Sequence, residues 1–341
     1  MNFIFYKIYI LILIGFQFLT FKNKRILIKD VNNDKSNKKT FLYREDNKIN
    51  NLNNKMPINI SLSLDNSHIY PSLVVMVSAL ENNDKDNHIL IFYLLLSNKF
   101  EDKNLEIFES LKLTYDVRIN YYYIINYFDC LRRWRGSNAI YYKLFIPLLF
   151  PYIERMIHLD GDTIVFKDLW EMFNLPFNDN YLLAQPTRKN IFKDKVLKQN
   201  TINAGVILFN IKKIREDNKD FEMIHYLFVK KFTEQILMGY VCLPKIGYLP
   251  FKYGIFFIGR LKTYVRHVED NMIKRVNLTE VSQAMKDPSI VHELFCCPKH
   301  WEKRTKTCFE KANWCKVYQN IFYSYANKTK YYKQIYNKYM K

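Results

Sequence analysis

Two aspartates separated by one glycine, Asp160 and Asp162, stand inside the run Met156, Ile157, His158, Leu159, Asp160, Gly161, Asp162, Thr163, Ile164, Val165. Apolar residues on both sides make the run a buried strand that ends in a charged turn. Carboxylates at i and i+2 of a strand terminus can both turn toward one point beyond the sheet edge, and Gly161 lets the backbone bend there or a ligand approach closely. Two like charges so close need a counter-cation. A hard divalent ion, Mn2+ or Mg2+, which prefers oxygen ligands and can hold a substrate's phosphates, is the natural candidate. The plainer reading is a pair of solvated turn residues, since Asp and Gly are ordinary turn formers.

The surrounding pattern supplies elements that would position such a site. From Met56, PINISLSLD alternates and then runs apolar as a first strand, and Asp65 to His68 form a polar turn. Tyr70 to Leu80 carries apolar residues at helical spacing, HILIFYLLL from His88 is a second buried strand, Phe100 to Leu113 suits an amphipathic helix, and VRINYYYI is a third strand. Strand, helix, strand, helix, strand is the pattern of a parallel doubly wound sheet, which binds ligands beyond the carboxyl ends of its strands. The Asp65 and Asp160 turns both occupy such positions. No G-x-G-x-x-G or P-loop follows either strand, which argues against a dinucleotide or P-loop phosphate site. Downstream, Leu169 to Phe173 reads as a short helix, YLLAQ as a strand, and NTINAGVILFN places an Asn-Ala-Gly turn ahead of another strand. Phe232 to Cys242 reads as a helix bearing Glu234 and Gln235, and in SIVHELFCCPKHW His292 follows a short apolar strand.

The 341 residues suffice for one large α/β domain with extensions, or for two smaller ones, and with 49% hydrophobic residues a sizeable core is available. The formal charge of +19 points to an anionic partner. The lysines are spread along the chain with no helix-turn-helix, zinc-finger or aromatic RNA-binding signature, so nucleic acid is not the expected partner. Six cysteines without a C-x-x-C pair argue against structural zinc and a disulfide framework and for free buried thiols. Residues 1–21 are largely apolar and end without small residues at a cleavage position, so they read as an uncleaved membrane anchor near the span length of about 20 residues. The larger basic cluster follows on the C-terminal side, which places the catalytic domain on the cytoplasmic side. Residues 22–55, rich in Asn and Lys, read as a disordered stem. Residues 306–341 form a basic Lys/Tyr-rich tail, in which a surface helix touching anionic lipid is one reading and compositional bias another.

Five blocks, in order, resemble the family 8 glycosyltransferases, the group of glycogenin and the bacterial lipopolysaccharide galactosyl- and glucosyltransferases. They are ISLSLDNSHIYPSLVVMVSALENN, LDGDTIVFKDL with its flanks, NAGVILFNIKK, EQILMGYVCLPKIGYLPFKY and HELFCCPKHW. The resemblance implies a single catalytic domain over 56–305 with the GT-A fold, a Rossmann-like mixed sheet with helices on both faces. It implies a retaining hexosyltransferase that moves glucose or galactose from a UDP-sugar to a saccharide or glycolipid acceptor, as in lipopolysaccharide or surface glycan synthesis. Asp160, Asp162 and His292 would ligate Mn2+ (or Mg2+). Lys299 would contact phosphate, Ser63, Asp65 and His68 the uridine and ribose, and Lys143, Gly161 and Gly205 line the donor site. Asn203, Glu234 and Gln235 would face the reacting sugar. The chain departs from the family pattern with His68 for tyrosine, Lys143 for arginine, Glu234 for aspartate, His300 for proline, and Thr187 where some members are acidic.

Two other classes compete. Asp160 and Asp162 also fit the D-x-D-x-T/V motif of haloacid-dehalogenase-like Mg2+ phosphatases, although Ile164 occupies the Thr/Val position. A non-catalytic, membrane-anchored sugar-nucleotide-binding protein would carry the same fold; loss of Asp162 or His292 would favour it, and both are present.

Overall fold

The structure, a computed structural model, describes residues 54–124, 131, 133, 136–186, 202–230, 232–255, 278–293, 299, 301–303 and 313–341, together with a two-residue strand at Tyr43–Arg44. The described residues fall within the compact unit Phe41–Lys341. Their strands are β1 Tyr43–Arg44, β2 Met56–Leu64, β3 His88–Ser97, β4 Val117–Ile124, β5 Arg155–Leu159, β6 Thr163–Val165, β7 Leu182–Pro186, β8 Ile202–Asn210, β9 Ile246–Tyr248, β10 Tyr253–Ile255 and β11 Ile290–His292. The longer helices are α1 Ile69–Glu81, α2 Lys219–Lys230, α3 Glu234–Val241, α4 Leu278–Lys286, α5 Asn313–Ala326 and α6 Tyr332–Met340.

The main sheet has the order β1-β4-β3-β2-β5-β8-β7-β9. Strands β4, β3, β2 and β5 run parallel, whereas β8 is antiparallel to both β5 and β7. The expected mixed sheet is therefore present. Alternation along each strand explains why helices cover both faces. On β2, Ile58, Ile60, Leu62 and Leu64 join one core cluster with α1, whereas on β5 and β8 Met156, Ile207 and Phe209 join a second cluster with α2 and α3. A strand buried on both faces has no reason to alternate polar residues outward, which is why β3 and β8 read as nearly continuous apolar runs.

Two local expectations are corrected. Phe100 to Leu113 is not one helix but a 3-10 turn at Asp102–Asn104, an α-turn at Leu105–Glu109 and a second 3-10 turn at Ser110–Leu113. The sequence Asn203-Ala204-Gly205 is not a turn before β8 but part of it. The β7 register moves from Ala184 opposite Ile207 to Gln185 opposite Asn203, so β8 carries extra residues there, a bulge of the kind that re-aims side chains.

The expected localisation is also corrected. Among the described residues no helix is long and apolar enough to cross a membrane. Residues 1–21, on which the anchor and the cytoplasmic placement rested, lie outside the described residues, as do Thr187 and His300. The C-terminal helices bury Tyr318, Phe322, Ala326 and Ile335 in the same cluster as α1. Asn82, just past α1, donates its side-chain amide both to the Val165 carbonyl and to Tyr325 Oη.

A small second sheet, β10-β11-β6, brings the site together. Antiparallel pairing of β11 with β6 sets His292 opposite Thr163, one residue beyond Asp162. Ser78 of α1 holds β6 from the other side by donating its hydroxyl to the Val75 carbonyl and accepting from the Val165 amide.

Candidate functional site

Asp160, Asp162 and His292 each offer a ligand atom, and these atoms lie within 4.8 Å of one another. Asp160 leaves the end of β5 with its amide bonded to the Gly205 carbonyl, and Asp162 enters β6. The turn between them closes through the Thr163 hydroxyl, which donates to the Asp160 carbonyl. Gly161 passes close to the first turn of α1, where a Cβ would sit 3.2 Å from Ser72 Oγ. That close approach, not a positive φ, is what glycine permits here.

His292 is buried, and its ring is fixed by one neighbour. Asn203 Oδ1 accepts the Gly205 amide at 2.9 Å, which orients the Asn203 carboxamide, so at its 2.9 Å contact His292 Nδ1 must be the donor. In the neutral ring Nε2 then carries the lone pair, and it faces Asp162 Oδ1 at 3.0 Å. Two lone-pair atoms at that distance repel unless a proton or a metal cation is shared between them. An imidazole that donates its far N–H to an anchored carbonyl is the usual arrangement of a metal-ligating histidine. The donor set, two carboxylates and one imidazole, suits Mn2+ or Mg2+ with the remaining positions left for a ligand.

Each aspartate also has a lysine. Lys143, fully buried, donates to Asp160 Oδ1 at 2.6 Å and to the Ala204 carbonyl at 2.8 Å, so it stands behind Asp160 rather than in the open cleft. Lys299 donates to Asp162 Oδ2 at 2.5 Å and to the Glu293 carbonyl at 2.9 Å. Burial works against charge at both aspartates, but it is outweighed. At Asp160 Lys143 and then His158 hold the carboxyl well below the usual range, and at Asp162 Lys299 and His292 do the same.

His158 and Ser61 belong to this network and were not singled out from the sequence. His158 Nε2 lies 3.1 Å from Asp160 Oδ1, and Nδ1 lies 3.1 Å from Ser61 Oγ. Burial and then the Lys143 charge push the His158 ring down to about 4, so it is neutral near pH 7, donates to Asp160 and accepts from Ser61. The available signal was an imidazole and a hydroxyl at positions in β5 and β2 where their neighbours are apolar.

Glu234 opens α3, and Gln235 Oε1 accepts the Ala204 amide at 3.4 Å. Burial pushes the Glu234 carboxyl up to about 7; Lys143 opposes the shift and Asp160 adds to it. The structure thus gathers Asp160, Asp162, His292, Asn203, Gly205, Lys143, Lys299, Glu234 and Gln235 around one centre.

A second group lies at the end of β2. Asp65 Oδ1 accepts from the Ser67 amide at 2.9 Å and the Ser67 hydroxyl at 2.5 Å, and lies 3.1 Å from His68 Nδ1. Partial burial opposes the Asp65 charge, but His68, Ser137 and Ser67 outweigh it and hold the carboxyl well below the usual range. Ser137 had no sequence signal. A Cβ on Gly161 would lie 4.0 Å from His68 Cδ2, which joins this group to the aspartate turn. The Ser63 hydroxyl is buried without a hydrogen-bond partner. On the outer side Lys338 of α6 stands over the Tyr70 ring at 5.3 Å, where it feels the Asp65 charge.

Comparison with known proteins agrees with this geometry. A curated Haemophilus influenzae protein with a provisional glycosyltransferase description is 24% identical over 272 residues, 72% of this chain and 74% of that protein. The fold matches the bifunctional glycosyltransferase WbbM with TM-score 0.64 and 21% identity, covering 84% of this chain and 52% of that one, so the chain spans about half of WbbM. It also matches the galactosyltransferase LgtC, solved with donor and acceptor sugar analogs, with TM-score 0.59 and 15% identity over 79% of this chain and 96% of that one. These neighbours share the GT-A architecture, which the mixed sheet here reproduces, and the phosphatase alternative falls away. The model of glycosyl transferase family 8 matches residues 59–305, which contain both groups of site residues, and the chain belongs to that family.

Proposed function

We propose that this protein transfers a hexosyl group, glucosyl or galactosyl, from a UDP-hexose to a saccharide or glycolipid acceptor, with retention at the anomeric carbon. The observation that carries the reading is the meeting of Asp160, Asp162 and His292, with His292 anchored at Asn203, inside a family 8 frame. Mn2+ or Mg2+ held by these three side chains would supply Lewis acidity to the leaving diphosphate. Lys299 adds a donor on the same side. Asp65 accepts from uracil or ribose, His68 stacks on the base, and the unpaired Ser63 hydroxyl lies on β2 just ahead of them. Asn203 has its oxygen committed to Gly205 and His292, which leaves its amide N–H groups for the sugar.

In the transfer, the acceptor oxygen bonds to the anomeric carbon as the bond from that carbon to the UDP oxygen breaks. Glu234 is the carboxylate nearest the expected reacting centre, and with its carboxyl raised to about 7 it is half protonated at neutral pH, a poor nucleophile for double displacement. Front-side attack, in which a phosphate oxygen takes the acceptor proton, is the reading this favours. Gln235 then stabilises the positive sugar through its amide oxygen, while the Asn203 N–H groups hold the sugar's oxygens. The test is UDP release from a panel of nucleotide sugars with Mn2+, followed by proton NMR of the product. Release from a UDP-hexose and an α-linked product are expected. A β-linked product would overturn retention, and no release from any UDP-hexose would overturn the donor.

A further inference from the structure

Asp160 and Asp162 are each already paired with an ammonium that also donates to a backbone carbonyl, Ala204 for Lys143 and Glu293 for Lys299, but the two lysines differ in their own exposure. Lys143 is fully buried between Asp160 and the Ala204 carbonyl. Lys299 keeps 12% of its side chain exposed and meets Asp162 where that carboxylate is 17% exposed. The Lys299 amide donates to Glu302 Oε2 at 2.9 Å, which holds the backbone, and the four-carbon stem is the part that can carry the ammonium from Asp162 to a diphosphate. A divalent cation ligated by Asp162 would share one carboxylate with this ammonium. Like charges on a single anion in a partly desolvated site repel strongly.

We infer that Lys299 is an exchangeable counter-ion, which occupies Asp162 until a cation arrives and then moves to the diphosphate that the cation brings. The inference rests on the nucleotide-sugar reading and adds a competition to it. Lys299 opposes the cation when the cation binds alone and favours it when a diphosphate is present. Removing the lysine therefore has opposite effects on the two events, and by linkage the coupling between cation and nucleotide shrinks from both sides. A lysine that merely supported the fold would weaken both. One that only contacted phosphate would leave binding of the cation alone unchanged.

The test is calorimetric titration of the full chain with Mn2+ alone and with Mn2+ at saturating UDP, for the wild type, Lys299→Met and Lys299→Arg. Lys299→Met should bind Mn2+ alone about tenfold more tightly than wild type and UDP with Mn2+ about tenfold more weakly. Lys299→Arg should restore the wild-type order. Lys299→Gln, which keeps a polar end, serves the same comparison should the Met variant fold poorly. Unchanged or weaker binding of Mn2+ alone in the Met or Gln variant would overturn the exchange while leaving the nucleotide-sugar reading intact. A wild-type chain that binds neither Mn2+ nor UDP would overturn both.

Discussion

Gly205 and His292 share a space that admits no side chain on the first, since a Cβ on Gly205 would lie 1.9 Å from His292 Cε1 and 2.5 Å from its Nδ1. The bulged β8 brings its backbone directly against the ring, and Asn203 fixes that ring from the same strand. Gly205→Ala should therefore displace His292 from Asp162. We expect metal-supported UDP binding to weaken by about 10- to 100-fold, read by calorimetry, with the circular dichroism of the sheet retained. Wild-type affinity in this variant would show that the ring position does not matter to binding.

Asp162→Asn keeps the shape of the side chain and an oxygen able to accept from Lys299, so the fold should survive. The charge that a divalent ion needs is lost. Turnover should fall by more than about a hundredfold, and EDTA should reduce the wild type to a similar level. If UDP binds equally well with and without EDTA, Asp160, Asp162 and His292 do not hold the metal.

Glu234 carries a pH signature. Its folded carboxyl titrates near 7 rather than at its ordinary value of 4.5, so the folded chain binds an extra proton between those values. Stability declines as pH rises through that window, because charging this partly buried carboxyl costs free energy in the folded state alone. Glu234→Gln mimics the protonated form. Its melting temperature should match that of the wild type near pH 4.5 and exceed it at pH 8, and equal values at both pH values would remove Glu234 as the titrating group.

His158 orients Asp160 through Nε2 while Ser61 holds Nδ1. His158→Phe keeps a planar ring, somewhat larger, but removes that hydrogen bond, and should lower Mn2+ affinity about tenfold, read on protein whose circular dichroism shows it folded. His158→Gln, whose amide N–H can still donate toward Asp160, should recover part of the loss. Equal Mn2+ affinity in all three proteins would reduce His158 to a packing residue.

By itself the sequence determined the local elements and the chemistry they could carry. Alternation in ISLSLD, the apolar run of β3 and the Asp-Gly-Asp turn after RMIHL are patterns within a few residues, and such patterns report which face of a strand is buried and where it stops. The structure places Asp160 and Asp162 as that pattern implied. Failures were also local where packing overrode pattern: Phe100 to Leu113 breaks into 3-10 and α turns, and Asn-Ala-Gly is drawn into β8 as a bulge. Residue patterns alone do not reach partnerships across long sequence separations; the family resemblance implied that His292 joins the two aspartates, and only the tertiary structure gives the contacts. His292 meets Asp162 across 130 residues and Lys299 meets it across 137. These depend on the register of β11 against β6, where Thr163 faces His292, and a slip of one residue would turn the imidazole to the other face. Register is chosen by the whole packed interior, so no short window of residues contains it.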